Sequence, residues 1–257
     1  MCPPAARFAT GHGELVCHCL LIERDGGLVL VDTGLGTNDV TNPARFGRLT
    51  NALLRPRYRL DETAVEQVRA RGFDRADVTD IVLTHLHLDH AGGLSDFPRA
   101  RVHLHAAEVY AATESPTARE RTGYFADQWS HAPRWETYSE DGDVWFGFEG
   151  VQPLRGVDDI ALVPLFGHTR GHTGVAIRDG DRWLLHAGDA YFHRATLTDD
   201  AARPLGLKLF ERFDAFDPRR RDRNALRLRE LHAGAQVDIF CSHDPAELAA
   251  HRAEPES

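Results

Sequence analysis

The ten residues from Ile81 to His90, IVLTHLHLDH, constrain this chain more than any other segment. The first part, Ile81 to Thr84, is apolar and too short for a helix, so it reads as a buried strand. Directly behind it come His85, His87, Asp89 and His90, four metal-ligand side chains within six positions. At the buried end of a strand each polar group needs a partner of its own, because an unsatisfied one costs free energy. A shared cation satisfies several at once. If the strand continues, His85 and His87 lie on one side and both imidazoles can reach one ion. Asp89 and His90 then point elsewhere as the backbone turns through Gly92-Gly93, so one short segment can feed two adjacent metals. The 15 histidines of the 257-residue chain are more than packing requires, and histidine is the commonest metal ligand.

Composition limits what else the chain can do. With 39 acidic against 30 basic residues the net charge is −9, a surface unsuited to polyanions, so nucleic acid is not an expected partner. Hydrophobic residues at 42% and charged residues at 27% fit an ordinary globule rather than a disordered chain. No apolar run is long enough to span a membrane, and none is expected as a partner. The start, MCPPAARFATGHGELV, lacks a basic stretch followed by an apolar one, which points to the cytoplasm. Four cysteines (Cys2, Cys17, Cys19, Cys241) are too few and too scattered for a disulfide scaffold.

The length fits a single domain over residues 1–257. Strands and helices mix throughout, which argues for layered α/β architecture. Leu15 to Ile22 and Leu28 to Val31 form a hairpin about Gly26-Gly27; Thr63 and Glu66 open a helix over Ala64 to Arg71. Further strands are expected at Arg101 to His105, Ile160 to Pro164, Val175 to Arg178, Trp183 to His186 and Val237 to Cys241. Helices are expected at Ala106 to Ala112, at about Asp222 to Ala233 and after Pro245. Two stretches break the pattern. Residues 115–151 hold eight of the chain's 22 aromatics between Tyr124 and Phe148, an insert that reads either as a lid over an apolar pocket or as a satellite packing cluster. Residues 191–217 look irregular and could form the opposite wall. Three look-alikes carry blander readings: Cys17-His18-Cys19 as buried thiols, His103-Leu104-His105 as a strand end, and Arg219 to Arg223 as a solvated helix start.

The run THLHLDH resembles the H-x-H-x-D-H motif of the metallo-β-lactamase superfamily. Four more landmarks follow that family's order: Asp32 in VDTGLG, His168 in LFGHTRGH, Asp189 in LLHAGDA and His243 in CSHDP. The resemblance implies an α/β fold, a four-layer αββα sandwich with metals at one edge between the sheets. It implies that His85, His87 and His168 hold a first ion and Asp89, His90 and His243 a second, with Asp189 as a bridging carboxylate and a hydroxide as the other bridge. Two divalent ions per chain are expected, zinc first, with iron or manganese as alternatives. Asp32 and His172 would support the ligands. Two cations, two aspartates and a hydroxide leave about +1 to polarise a substrate oxygen.

That set implies hydrolysis of an ester-like bond in a small molecule, with Asp89, Asp189 and Tyr191 as the catalytic group. It is most similar to quorum-quenching lactonases and to thioesterases of the glyoxalase II type, so a lactone is the first expectation and a thioester or other ester the next. The lactonases carry a tyrosine three residues after the bridging aspartate. Here Phe192 holds that position and Tyr191 precedes it. Two other readings stay open: an iron persulfide dioxygenase-like oxidoreductase using His85, His168 and Asp189 at a single metal, and a non-catalytic metal-binding module. A homodimer is compatible with all of them.

Overall fold

The computed structural model describes residues 14–253; Cys2 and the N-terminal segment read for targeting lie outside them. The chain divides into two compact units. One takes the chain up to Leu104 together with Val109–Thr137; the other takes His105–Glu108 and the chain from Tyr138 onward.

The first unit is built on a five-stranded sheet of order β1-β2-β3-β4-β5: β1 (Leu20–Arg24), β2 (Gly27–Val31), β3 (Val78–Val82), β4 (Arg101–His105) and β5 (Arg134–Tyr138). The expected hairpin is there, but its first strand opens at Leu20 rather than Leu15; Leu20 stands opposite Val31 and Gly26 has φ 104°, a value that glycine alone adopts without strain. β2, β3 and β4 run parallel, and parallel neighbours need crossovers. Helices α1 (Thr37–Thr41), α2 (Gly47–Leu54) and α3 (Ala64–Ala70) lie in the first crossover and α4 (Leu88–Ala91) in the second; α5 (Ala106–Glu114) and α6 (Ala118–Gly123) precede β5. Thr63 stands at the N-cap of α3 as its sequence suggests, but its hydroxyl donates to the Leu60 carbonyl instead of capping. Leu28, Leu30, Ile81, Leu83, Val102 and Leu104 form the buried centre.

The second unit carries a six-stranded sheet of order β11-β10-β9-β8-β7-β6: β6 (Asp143–Trp145), β7 (Phe148–Leu154), β8 (Val157–Pro164), β9 (Thr173–Asp179), β10 (Arg182–His186) and β11 (Val237–Phe240). Neighbours are antiparallel except β10 and β11. Val163, Leu165, Ala176, Leu185 and Ile239 from the sheet pack with Leu228 of α8 (Pro218–Ala233). The stretch expected to be irregular at 191–217 contains α7 (Leu205–Asp214), and α9 (Pro245–Ala253) follows β11. Only Leu207 and Glu211 of α7 are buried, and its Leu205, Leu207 and Leu209 alternate as a strand would, so its periodicity is hidden.

The insert at 115–151 has structure of its own. Its aromatics divide: Tyr124, Trp129 and Trp135 pack against the core of the first unit, whereas Trp145 meets Trp183 edge-on at 5.5 Å in the second. The basic run at 219–223 is not uniformly solvated, because Arg221 is buried and its guanidinium meets the buried carboxylate of Glu211 at 3.0 Å. His103 is buried in β4 against Asp80 at 2.8 Å. Burial alone would raise the Asp80 carboxyl, but hydrogen bonds from His103 and Arg101 outweigh it and hold the group well below the usual carboxylate range. Among the described residues Cys17, Cys19 and Cys241 are in no disulfide. Among the described residues no helix is long and apolar enough to cross a membrane.

Candidate metal centre

Each unit gathers its own share of the expected ligands. In the first, β3 ends at Val82 rather than at Thr84, and Leu83 N–H still donates to the His103 carbonyl at 2.9 Å. His87 stands at the N-cap of α4 with no side-chain capping bond, and the helix itself carries Asp89 and His90. The rings of His85 and His87 lie 4.7 Å apart and those of His85 and His90 4.0 Å apart. Ligand atoms of His85 and His87, of His85 and His90, and of Asp89 and His90 each come within 4.8 Å. His85 and His90 are buried, while Asp89 keeps 24% of its side chain exposed.

The end of β2 holds this loop in place. Asp32 sits in left-handed backbone at φ 53°, which aims its carboxylate at the loop. It accepts from Thr84 N–H, from the Thr84 hydroxyl and from His90 Nδ1, all at 2.8 Å. Thr33 adds two bonds to the His90 carbonyl, from N–H at 2.8 Å and from its hydroxyl at 2.7 Å. Gly92 has no room for a side chain: a Cβ there would fall on the Asp39 carboxylate and the Gly34 carbonyl.

Two further groups escaped sequence reasoning because no motif marks them. Gln128, buried within the aromatic insert, donates its amide to the Leu88 carbonyl at 2.9 Å and to Asp39 Oδ2 at 3.1 Å. Leu88 lies between His87 and Asp89, so the Gln128 side chain ties the insert to the ligand loop, beside the backbone bridge between Tyr124 and His87. Burial pushes the Asp39 carboxyl up to about 6, although Gly36 N–H, Arg45 and Gln128 all stabilise its charged form. Tyr124 also stands beside the loop, its ring 5.6 Å from that of His87.

In the second unit His168 follows β8, Asp189 follows β10 and His243 follows β11. Nε2 of His243 and Nε2 of His168 approach the same oxygen, Asp189 Oδ2, at 3.0 and 3.3 Å. His172 faces away from that convergence with both nitrogens engaged: Nδ1 donates to the Leu165 carbonyl at 3.1 Å and Nε2 accepts from Asp189 N–H at 2.8 Å. It holds the backbone of Asp189 in position. Phe216 N–H donates to the His168 carbonyl at 2.8 Å, and Asp214 Oδ2 lies 3.5 Å from His168 Nδ1, another contact with no sequence signature.

Tyr191, expected in the catalytic group, lies inside the second core. Its side chain is fully buried in the second core, and its hydroxyl donates to Glu247 Oε1 at 3.0 Å. Burial pushes Glu247 up to about 7 and the tyrosine well above its ordinary value. The phenol packs in that core. Phe192 is the residue at the histidines, its ring 4.6 Å from His243 and 5.9 Å from His168. Its N–H is fixed by Glu211 Oε1 at 2.9 Å.

Imidazole nitrogens converging on a carboxylate oxygen in one unit, and three clustered imidazoles with a carboxylate in the other, form nitrogen and oxygen donor sets of the kind that suit zinc and its first-row neighbours. Comparison with known proteins gives the same direction. The model of the metallo-beta-lactamase superfamily matches residues 12–243. The chain belongs to that superfamily. A probable metallo-hydrolase of Mycobacterium tuberculosis is 43% identical over 234 residues, covering 90% of this chain and 75% of the relative. An N-acyl homoserine lactonase of Azorhizobium caulinodans is 29% identical over 238 residues, 90% of this chain and 83% of that one. Among solved structures, an N-acyl homoserine lactone hydrolase with its product N-hexanoyl-L-homoserine at the catalytic metal centre matches with a TM-score of 0.73 at 23% identity, over 97% of this chain and 92% of that one. The α/β metallo-β-lactamase fold expected from the sequence is therefore the fold the chain has, and it is a hydrolytic enzyme of this superfamily.

Proposed function

We propose that the chain is a dinuclear metallo-hydrolase acting on lactones, in which His85, His87 and His168 hold one divalent ion, Asp89, His90 and His243 a second, and Asp189 serves both. The observation that carries this reading is the shared use of Asp189 Oδ2 by His168 and His243, one histidine from each proposed set. A carboxylate addressed by members of both sets is the group expected to bridge. Bound ions would supply Lewis acidity toward a carbonyl oxygen and a water of lowered pKa. The chain supplies the rest. Asp32 and His172 fix the orientation of His90 and Asp189. Asp189 is the carboxylate placed to carry a proton to the leaving oxygen, and the partly exposed Asp89 can steer the substrate. Phe192 presents no hydroxyl beside His243 and His168, so this position would offer no hydrogen bond to a carbonyl oxygen there, and bound ions would supply the polarisation.

Support for a lactone comes from relatives named N-acyl homoserine lactonase that align over nine-tenths of the chain. Metal analysis of purified protein combined with a panel of lactones, thioesters, phosphodiesters and β-lactams tests the proposal. The expected result is two ions per chain and lactone turnover lost in Asp189→Ala while the circular dichroism spectrum is retained. One iron per chain with oxygen uptake on a persulfide would overturn it, and turnover confined to thioesters would move the substrate class.

A further inference from the structure

Two segments of this acidic chain each carry one sign of charge with no opposing residue. From Val40 to Leu60 there are five arginines and no acid; from Trp135 to Leu154 there are five acids and no base. Part of the basic set is matched within the chain, since Arg45 pairs with Asp39, Arg57 with Glu14 and Arg59 with Asp61. Arg48 and Arg55 are exposed on and just behind α2, and among the described residues no acid pairs with either. Between them the helix presents Leu49 and Leu53, one turn apart and 82% and 66% exposed. No residue of α2 is buried.

The acidic segment has the complementary surface. β6 is the end strand of its sheet, so it offers an open backbone edge. Val144 and Phe146 stand out from it, 68% and 41% exposed. Exposed Glu140, Asp141, Asp143 and Glu149 flank them along the chain, and among the described residues no lysine or arginine forms an ion pair with these four. An apolar centre inside a charged rim is the anatomy of a protein interface. Either patch against its own copy would set like charges face to face, whereas the two patches against each other match sign for sign.

We propose that the α2 surface of one copy of this chain docks on the β6 hairpin of a second copy, a heterologous contact that is independent of what the metal centre does. Leu49 and Leu53 cover Val144 and Phe146, and Arg48 and Arg55 meet the acidic rim. Sedimentation velocity on the full chain at low and high salt tests this, using Arg48→Glu/Arg55→Glu and Asp141→Lys/Asp143→Lys as paired charge reversals. The wild type is expected to self-associate more weakly as salt rises. Each double variant alone should associate about tenfold or more weakly, and an equimolar mixture should recover, because the unaltered α2 of the Asp141→Lys/Asp143→Lys chain then meets the unaltered β6 hairpin of the Arg48→Glu/Arg55→Glu chain. Leu49→Ser/Leu53→Ser, which leaves the charge alone, should also weaken association. All substituted side chains are exposed, and circular dichroism checks that each variant folds. A wild type that stays monomeric overturns the proposal. So do variants that associate as the wild type does, or folded variants whose mixture fails to recover. A monomer that binds only anionic lipid vesicles through α2 also overturns it.

Discussion

Replacing Gln128 with leucine removes one tie between the aromatic insert and the ligand loop without changing volume much, and leaves the Tyr124–His87 bridge in place. The amide now makes two bonds from a buried position, one to the neutral carbonyl of Leu88 and one to the carboxylate of Asp39. A neutral hydrogen bond contributes about 1 kcal/mol and one to a charged group about 1.5–3 kcal/mol, and both acceptors are left buried without this donor, so a loss of roughly 3 kcal/mol is expected. Asp39 keeps Gly36 N–H and Arg45, which limits the damage. The loss should shrink toward pH 5, because Asp39, raised to about 6, then carries its own proton and the charge-assisted bond is no longer there to lose. Urea unfolding at pH 7.5 and pH 5 measures this, and Trp129 beside the substitution gives a fluorescence signal in the same unit. Competition with a chelator provides a second readout, since the Leu88 carbonyl lies between His87 and Asp89: affinity for zinc should fall about tenfold, as for other groups that orient ligands. A stability change under about 0.5 kcal/mol with unchanged chelator competition would refute a latch role for Gln128.

Asp39→Asn should remove a pH trend. The folded-state value lies above the ordinary 3.8, so the contribution of this carboxyl is full below about 4 and lost as pH rises through about 6; the asparagine variant should lack that fall when the two unfolding curves are compared. Tyr191→Phe should leave lactone turnover within about twofold and cost about 1 kcal/mol for the bond to Glu247; a large loss of turnover at unchanged stability would return the phenol to the chemistry. His103→Ala should destabilise the first unit by a few kcal/mol, about what breaking a buried pair costs, with the metal content of the chain unchanged; a drop in bound metal would make the second H-x-H run a ligand. Stripping metal with a chelator should lower the melting temperature, and zinc at concentrations above its Kd should restore it.

The parts of this molecule that were legible in the sequence are those where one segment carries its own signal. The β1–β2 hairpin shows in two apolar runs about Gly26-Gly27, and the ligand loop in the tight spacing of His85 to His90. α7 was not legible, because its large apolar side chains face outward and its buried face rests on one leucine and a glutamate. Glu211 is intelligible only once Arg203 and Arg221 are seen against it. Gln128, Asp39 and Asp214 act through partners dozens of positions away or through single contacts, and a polar residue in a loop has no periodicity to betray its partner. Tyr191 shows the limit of reading by position. A phenol one residue from the expected place lies in the core, and Phe192 holds the place at the ligands.

The carboxylate at the end of β2 also decides where protons sit. Asp32 can only accept, so Nδ1 of His90 must carry hydrogen and leave its lone pair on Nε2. The Thr84 hydroxyl gives its one hydrogen to Asp32, so toward His85 Nδ1, 3.0 Å away, it can only accept, and His85 is set in the same tautomer. A single carboxylate thereby fixes the tautomers of two imidazoles, one directly and one through a hydroxyl. Asp32→Asn would keep the shape and lose this logic, because an amide NH2 turned toward either partner presents a donor where a donor already points. A cation would then meet an N–H in place of a lone pair.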